Sequence, residues 1–227
     1  MACQEQISHY PLGDRALVIV LGDDVSLATN KRIQQICYLL KNQPLNEIVE
    51  FVPAFTTITI YYDPCILPYQ KIIDHVILLD KHLTTLKDEQ HLIKEIPVLY
   101  NGEDLEHVAS SNQLSIEEVI SIHSKVDYTV HMIGFTPGFP YLGGMDPRIA
   151  TARKETPRLH VPAGSVGIGG SQTGIYSQDS PAGWQIIGHT PILLFDVSIE
   201  QPSLLQAGDT VRFVPITADQ YQILQNS

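Results

Sequence analysis

The stretch Pro157–Tyr176, PRLHVPAGSVGIGGSQTGIY, decides how the chain is read. Prolines remove backbone freedom and glycines permit special dihedrals, so such a run makes short strands and fixed turns rather than helix. It is flanked by Gly134–Gly144, GFTPGFPYLGG, and Ser180–Thr190, SPAGWQIIGHT. Together, residues 134–191 hold 11 of the 15 glycines and 7 of the 15 prolines. Many short strands with Gly/Pro turns predict a β-barrel or sandwich. Ile192–Asp196 and Thr210–Pro215 read as further strands, the second after the turn signal Ala207-Gly208-Asp209.

Upstream the texture changes to alternating strand and helix. Arg15–Leu21 is a short apolar run between turn residues and reads as a buried strand. A helix is expected from about Ser26, with Ile33, Ile36, Cys37 and Leu40 on one face. Ile48–Val52 and Thr56–Tyr62 read as two strands split by Pro53. A second helix is expected over Tyr69–Leu86, with Ile72, Val76, Leu79 and Leu83 inward, and Glu95–Tyr100 as a closing strand. A two-layer α/β module is the natural packing, since each helix must bury one stripe on a sheet. The charged string Lys81–Glu95 reads as a solvated helix end and linker. Ser115-Ile116-Glu117-Glu118 is a capping box that opens a short helix, and Lys125–Ile133 alternates as a strand. The expectation is an α+β chain: an N-terminal α/β domain over 1–92 and a barrel domain over 93–227.

Composition excludes several classes. The formal charge of −11 argues against neutralising a phosphate backbone. The longest apolar runs fall far short of the ~20 residues of a membrane span. Met1–Tyr10 lacks the pattern of a signal peptide. Cys3, Cys37 and Cys65 are far apart, which fits a reduced, cytoplasmic protein with unpaired thiols, Cys37 and Cys65 reading as small buried hydrophobes.

The charge reverses sign within 134–191, where four basic residues outnumber three acidic ones. Three of the six arginines, Arg148, Arg153 and Arg158, lie close together there. Arginine holds carboxylates bidentately, so an acidic small molecule or an acidic partner surface is the expected ligand; surface pairing with Asp146 or Glu155 is the plain alternative. Arg158, hemmed by Pro157 and the glycine run, is the stronger candidate. The run Gly164–Gly170 lacks the Lys-Ser/Thr of a phosphate loop and the dinucleotide spacing. The scattered histidines show no metal spacing, so no metal is expected. His131 reads as an exposed strand histidine rather than a general base.

These motifs resemble the family of 5-oxoprolinase B subunits, also described as allophanate-hydrolase-subunit-1-like or KipI-like. The likeness rests on Gly134–Gly144, on Arg158 with Val161–Gly170, on Gln172–Tyr176 and on Gly183–Thr190. It extends to His123-Ser124 with Tyr128, to Gly208-Asp209 before Val211–Phe213, and to Gly13-Asp14 and Ala28–Ile33. His131 departs from the pattern. The resemblance implies a cyclophilin-like barrel after a small α/β domain. It implies one component of a hydrolase that, with subunits C and A, opens 5-oxoproline to glutamate with ATP, which would be bound at least partly outside this chain. Related domains form the carboxyltransferase part of urea carboxylase. On this reading Arg158 anchors the substrate carboxylate and His189 is the acid/base candidate. Gln172, Thr173 and Tyr176, with Ser165, are polar contacts. Phe135, Phe139, Tyr141 and Trp184, with Pro137 and Gly138 of the same loop, form a wall or a contact with the C component. The family also contains inhibitors of a sporulation sensor histidine kinase, so a regulatory, kinase-binding role is the alternative. Prolyl isomerisation by analogy with the barrel is weaker, because fold does not fix function.

Overall fold

The computed structural model describes residues 7–83 and 93–226. The chain separates into two compact units, Met1–Gln90 and His91–Ser227.

The first unit is a four-stranded antiparallel sheet carrying two helices. Its strands are β1 (Ser8–Pro11), β2 (Ala16–Val20), β3 (Ile48–Pro53) and β4 (Thr57–Tyr62), in the order β1-β2-β4-β3. Helix α1 (Leu27–Asn42) starts at Ser26, whose hydroxyl accepts from the Thr29 amide at 3.1 Å. Helix α2 (Tyr69–His82) buries Ile72, Ile73, Val76 and Leu79. The end expected for it at Leu86, and most of the charged string after it, lie outside the described residues. Both helices bury their stripe on the sheet with Leu17, Ile19, Ile58 and Ile60. Cys37 is buried as expected, and burial pushes its thiol up to about 12; Cys65 is exposed instead.

The second unit is a seven-stranded, nearly closed barrel. Its strands are β5 (Ile93–Val98), β6 (Asp127–Ile133), β7 (Pro140–Gly143), β9 (Ser165–Gly169), β10 (Gln172–Ile175), β12 (Gln185–His189) and β13 (Thr210–Pro215). They run in the order β12-β9-β10-β7-β6-β13-β5. The sheet closes where Leu99, just past β5, exchanges two backbone hydrogen bonds of 2.9 Å with His189. A separate two-stranded ribbon, β8 (Arg158–Val161) with β11 (Ser180–Ala182), carries the middle of the motif block. Helices α3 (Leu105–Ser111) and α4 (Ile116–Ser124) pack on β12 and β13, and α5 (Ala218–Gln225) ends the chain. Both halves of the capping box at Ser115 and Glu118 are present.

Two expectations are corrected. The segment Glu95–Tyr100 does not close the first sheet: its β5 runs parallel to β13 in the barrel. Ile192–Asp196 is not a strand; its bridge joins Phe195 to Ser203. Two backbone hydrogen bonds flank that bridge, Asp196 N–H to the Pro202 carbonyl at 2.8 Å and Leu204 N–H to the Leu194 carbonyl at 2.9 Å, and the pairing stops there.

Register decides which residues reach which face of the barrel. On β9, Val166 and Ile168 point into the aliphatic core with Val98, Ile175 and Ile187. The outer face of the same strand is Ser165, Gly167 and Gly169. A Cβ on Gly169 would collide with the Trp184 indole, so only glycine lets that ring lie flat on the sheet. The glycine run is therefore a bed for an aromatic ring. His131 stands at a register shift between Val130 and Met132, on the face opposite the core-facing Tyr128 and Val130, yet it is buried: it is 4% exposed, contrary to the expectation of a surface histidine, because its ring packs over Gly143.

Candidate functional site

The aromatic residues of the motif block converge on the outer face. Phe139, Tyr176 and Trp184 are buried with Val161, Ala182 and Ile186, separately from the barrel core. The rings meet edge to face: Phe139 lies 4.9 Å from Tyr141, 5.1 Å from Tyr176 and 5.5 Å from Trp184. This is the favoured aromatic geometry, and it builds a rigid wall. Phe135 stands at the rim, 58% exposed and edge-on to Phe139. Its φ of 65° is a left-handed conformation that a bulky residue rarely adopts. Pro137 and Gly138 build the turn instead of lining the cavity: the Pro137 carbonyl accepts from Ser177 Oγ at 2.6 Å, and Gly138 sits at φ 79°.

The wall encloses a cavity of about 380 Å³ that also touches Arg153, Lys154 and Pro157. The Arg153 guanidinium lies 5.6 Å from the Trp184 ring centre, a cation–π placement. Arg153 is exposed and, among the described residues, makes no ion pair. Lys154 binds Asp104 at 2.8 Å. Burial pushes the Tyr176 phenol up to about 12 and raises that of Tyr141, so both remain hydroxyl donors at neutral pH. A largely apolar cavity with a cation at its mouth can receive a small molecule with an apolar body and a negative charge.

Arg158 is placed differently from the expectation. Its Nε meets Glu103 at 2.6 Å, its Nη2 meets Asp104 at 2.5 Å, and its Nη1 donates to the Trp184 carbonyl at 3.2 Å. The chain's own carboxylates thus occupy the guanidinium that was expected to anchor a substrate. Asp104 is the hub, also accepting from the Ile186 amide at 2.7 Å. Burial alone would raise its carboxyl, but Lys154, the Ile186 amide and Arg158 together hold it below the ordinary value. Arg148 is an ordinary surface pair with Asp146 at 2.7 Å.

Thr173 is likewise corrected. It is fully buried inside the barrel, where its hydroxyl donates to the Gly167 carbonyl at 2.9 Å. The Thr173 hydroxyl oxygen in turn accepts from His123 Nε2 at 2.9 Å, and His123 Nδ1 accepts from the Tyr100 hydroxyl at 2.8 Å. His123 stacks on Phe213 with ring centres 4.5 Å apart, and burial pulls its pKa down to about 3. This neutral polar chain was not legible in sequence, because its members are 23 and 50 residues apart. Gln172 is half-buried at the start of β10, outside the cavity lining. Ser165 is buried at the start of β9, its Oγ without a hydrogen-bond partner among the described residues.

His189 lies at the opposite end of β12 from Gln185 and is not among the residues that line the cavity. Its Nδ1 is 3.0 Å from Asn101 Oδ1. Burial lowers its pKa, and Glu103 opposes that shift. Among the described residues no cluster of three or more His, Cys, Asp or Glu could hold a metal ion, and no helix is long and apolar enough to cross a membrane.

The family model "Carboxyltransferase domain, subdomain C and D" matches residues 7–205. The B subunit of 5-oxoprolinase from Bacillus subtilis is 42% identical over 92% of this chain and 93% of its own. That of Escherichia coli O157:H7 is 43% identical over 91% and 94%. The crystal structure of TTHA0988 superposes with a TM-score of 0.82 at 37% identity, covering 90% of this chain. This chain spans only 41% of that longer protein. The urea carboxylase of Kluyveromyces lactis shares the fold, with a TM-score of 0.71 at 20% identity. The full-length relatives and the family match together place this chain in the carboxyltransferase-domain family, among the 5-oxoprolinase B subunits.

Proposed function

We propose that this chain works in the cytoplasm as the B component of a 5-oxoprolinase complex, with subunits C and A, opening 5-oxo-L-proline to L-glutamate at the expense of ATP. The observation that carries the reading is the aromatic cavity with Arg153 at its mouth. A five-membered lactam would sit in the angle between the Phe139 and Trp184 rings, which stand edge to face. Its carboxylate reaches Arg153, a charge-assisted contact worth roughly 1.5–3 kcal/mol. Tyr141 and Tyr176 supply hydroxyl donors for the lactam oxygen. The anchoring role thus passes from Arg158, which braces the loop at Glu103 and Asp104, to Arg153.

The chain's own residues do not fit ATP. The run Gly164–Gly170 serves as the bed of Trp184 and has no Lys-Ser/Thr after it. ATP therefore belongs to another component of the complex in this reading. The barrel is taken as cyclophilin-like, and His189 as an acid–base group that completes its site in the complex. The relatives carry an enzyme-subunit name, so the kinase-inhibitor alternative is not favoured.

Reconstitution of the three subunits, with 5-oxoproline-dependent ATP hydrolysis as the readout, tests the proposal. Activity is expected only with this chain present, and Arg153→Ala should raise KM for 5-oxoproline about tenfold or more. Full activity without this chain overturns it.

A further inference from the structure

The loop between β5 and α3 is built to hold one side chain against His189. Gly102 N–H donates to the Ile187 carbonyl at 3.1 Å, and Asp104 N–H to the Ile186 carbonyl at 2.9 Å. A Cβ on Gly102 would collide with the Ile186 oxygen, so only glycine lets the loop lie this close to β12. Asn101, pinned between Leu99 and Gly102, therefore has little freedom.

The strand under the loop is shaped as well. The β12–β9 register shifts between Ile186 and Gly188, one residue before His189. Such bulges re-aim the side chains that follow them. His189 spends both of its backbone groups on Leu99, so its pairing with Ser165 on β9 is the narrow, non-hydrogen-bonded kind. The register puts the His189 side chain on the same face as that of Ser165, and its half-buried ring meets the Asn101 amide. The charged groups nearby are Glu103, on the same loop, and Arg158, which Glu103 binds at 2.6 Å.

We propose that Asn101 is a positioning residue for His189: its side-chain carbonyl takes the Nδ1 proton and leaves Nε2 as the proton-accepting nitrogen. With the Asn101 carbonyl oxygen facing Nδ1 at 3.0 Å, that oxygen can only accept, which places the proton on Nδ1. A free histidine side chain favours the opposite tautomer, so the arrangement is imposed by the fold. A ring fixed in this way presents a ready base and loses no time to tautomer exchange. The inference rests on the reading of His189 as an acid–base group, and its test separates the two.

Two-bond proton–nitrogen spectra of the ¹⁵N-histidine-labelled full chain, with His189→Gln for assignment, report the tautomer directly. The Nδ1–H form is expected; a His189 signal of the Nε2–H form overturns the proposal, whatever the activity. In the reconstituted complex Asn101→Leu should lower kcat about tenfold or more with KM for 5-oxoproline little changed. Asn101→Asp keeps an acceptor and adds a charge, so it should restore much of kcat and move the acid limb of the pH profile upward. Equal loss in both variants with an unmoved profile overturns the positioning role. Full activity of His189→Ala overturns the acid–base reading, and Asn101 then positions nothing catalytic, even where the tautomer is as expected.

Discussion

Strand β9 has two faces that follow opposite rules. Its inner face, Val166 and Ile168, is aliphatic and sealed in the barrel core. Its outer face, Ser165, Gly167 and Gly169, is almost bare, and the space left by the missing side chains is filled by Trp184 and its aromatic neighbours. Polar groups differ in the same way. Inside, Tyr100, His123 and Thr173 satisfy one another with no charge. Outside, Asp104 gathers Lys154 and Arg158, while Arg153 lies over the Trp184 ring. The lesson is that one strand stabilises the barrel on one side and shapes a cavity on the other, because side chains alternate with period two.

Substitutions should separate the faces. The largest effect is expected for Trp184→Ala, which empties the outer cluster: about 3–5 kcal/mol of stability, read from denaturant unfolding, with loss of 5-oxoproline binding. Next comes a pH effect of the inner face. His123 is neutral in the fold with a pKa of about 3, against 6.5 as its ordinary value. The unfolded chain therefore binds the proton first as pH falls. Stability held above pH 6.5 should be lost on the way down toward 3, by about 1.4 kcal/mol per unit inside that window. His123→Phe should flatten this slope in a urea series at several pH values.

Arg158→Ala should cost about 1.5–3 kcal/mol by leaving Asp104 short of a partner, and any loss of substrate affinity should track the loss of fold. Thr173→Val should cost about 1–3 kcal/mol by orphaning the His123 N–H, with ligand affinity unchanged in calorimetry. Arg153→Ala should leave the melting temperature within a degree or two of the parent, since the residue is exposed and makes no ion pair among the described residues, while weakening 5-oxoproline binding. If Arg153→Ala melts early and Arg158→Ala binds normally at low temperature, the division of labour between the two arginines is wrong.

Much of this is readable in the order of residues. Period and caps located α1, α2 and α4, and the clustering of glycine, proline and aromatics marked the barrel and its aromatic wall. The acid-paired Arg158 was not readable, because Asp104 lies 54 residues away. Pro157 and the glycine run made Arg158 look special, and it is, but as a brace. Thr173 reads as a ligand contact from the motif Gln172–Tyr176; register turned it inward. Helix α3 was missed because its seven residues are too few to show a period.

The sequence by itself determined local geometry: where the chain must turn, which stripes are apolar, which residues permit close approach. These depend on side chains a few positions apart, so they are written in order along the chain. Tertiary structure alone decided which arginine is tied up by carboxylates, which face Thr173 takes and which amide meets His189. Each of those depends on strand register and on one loop lying against β12, and such long-range pairings leave no local trace in the chain.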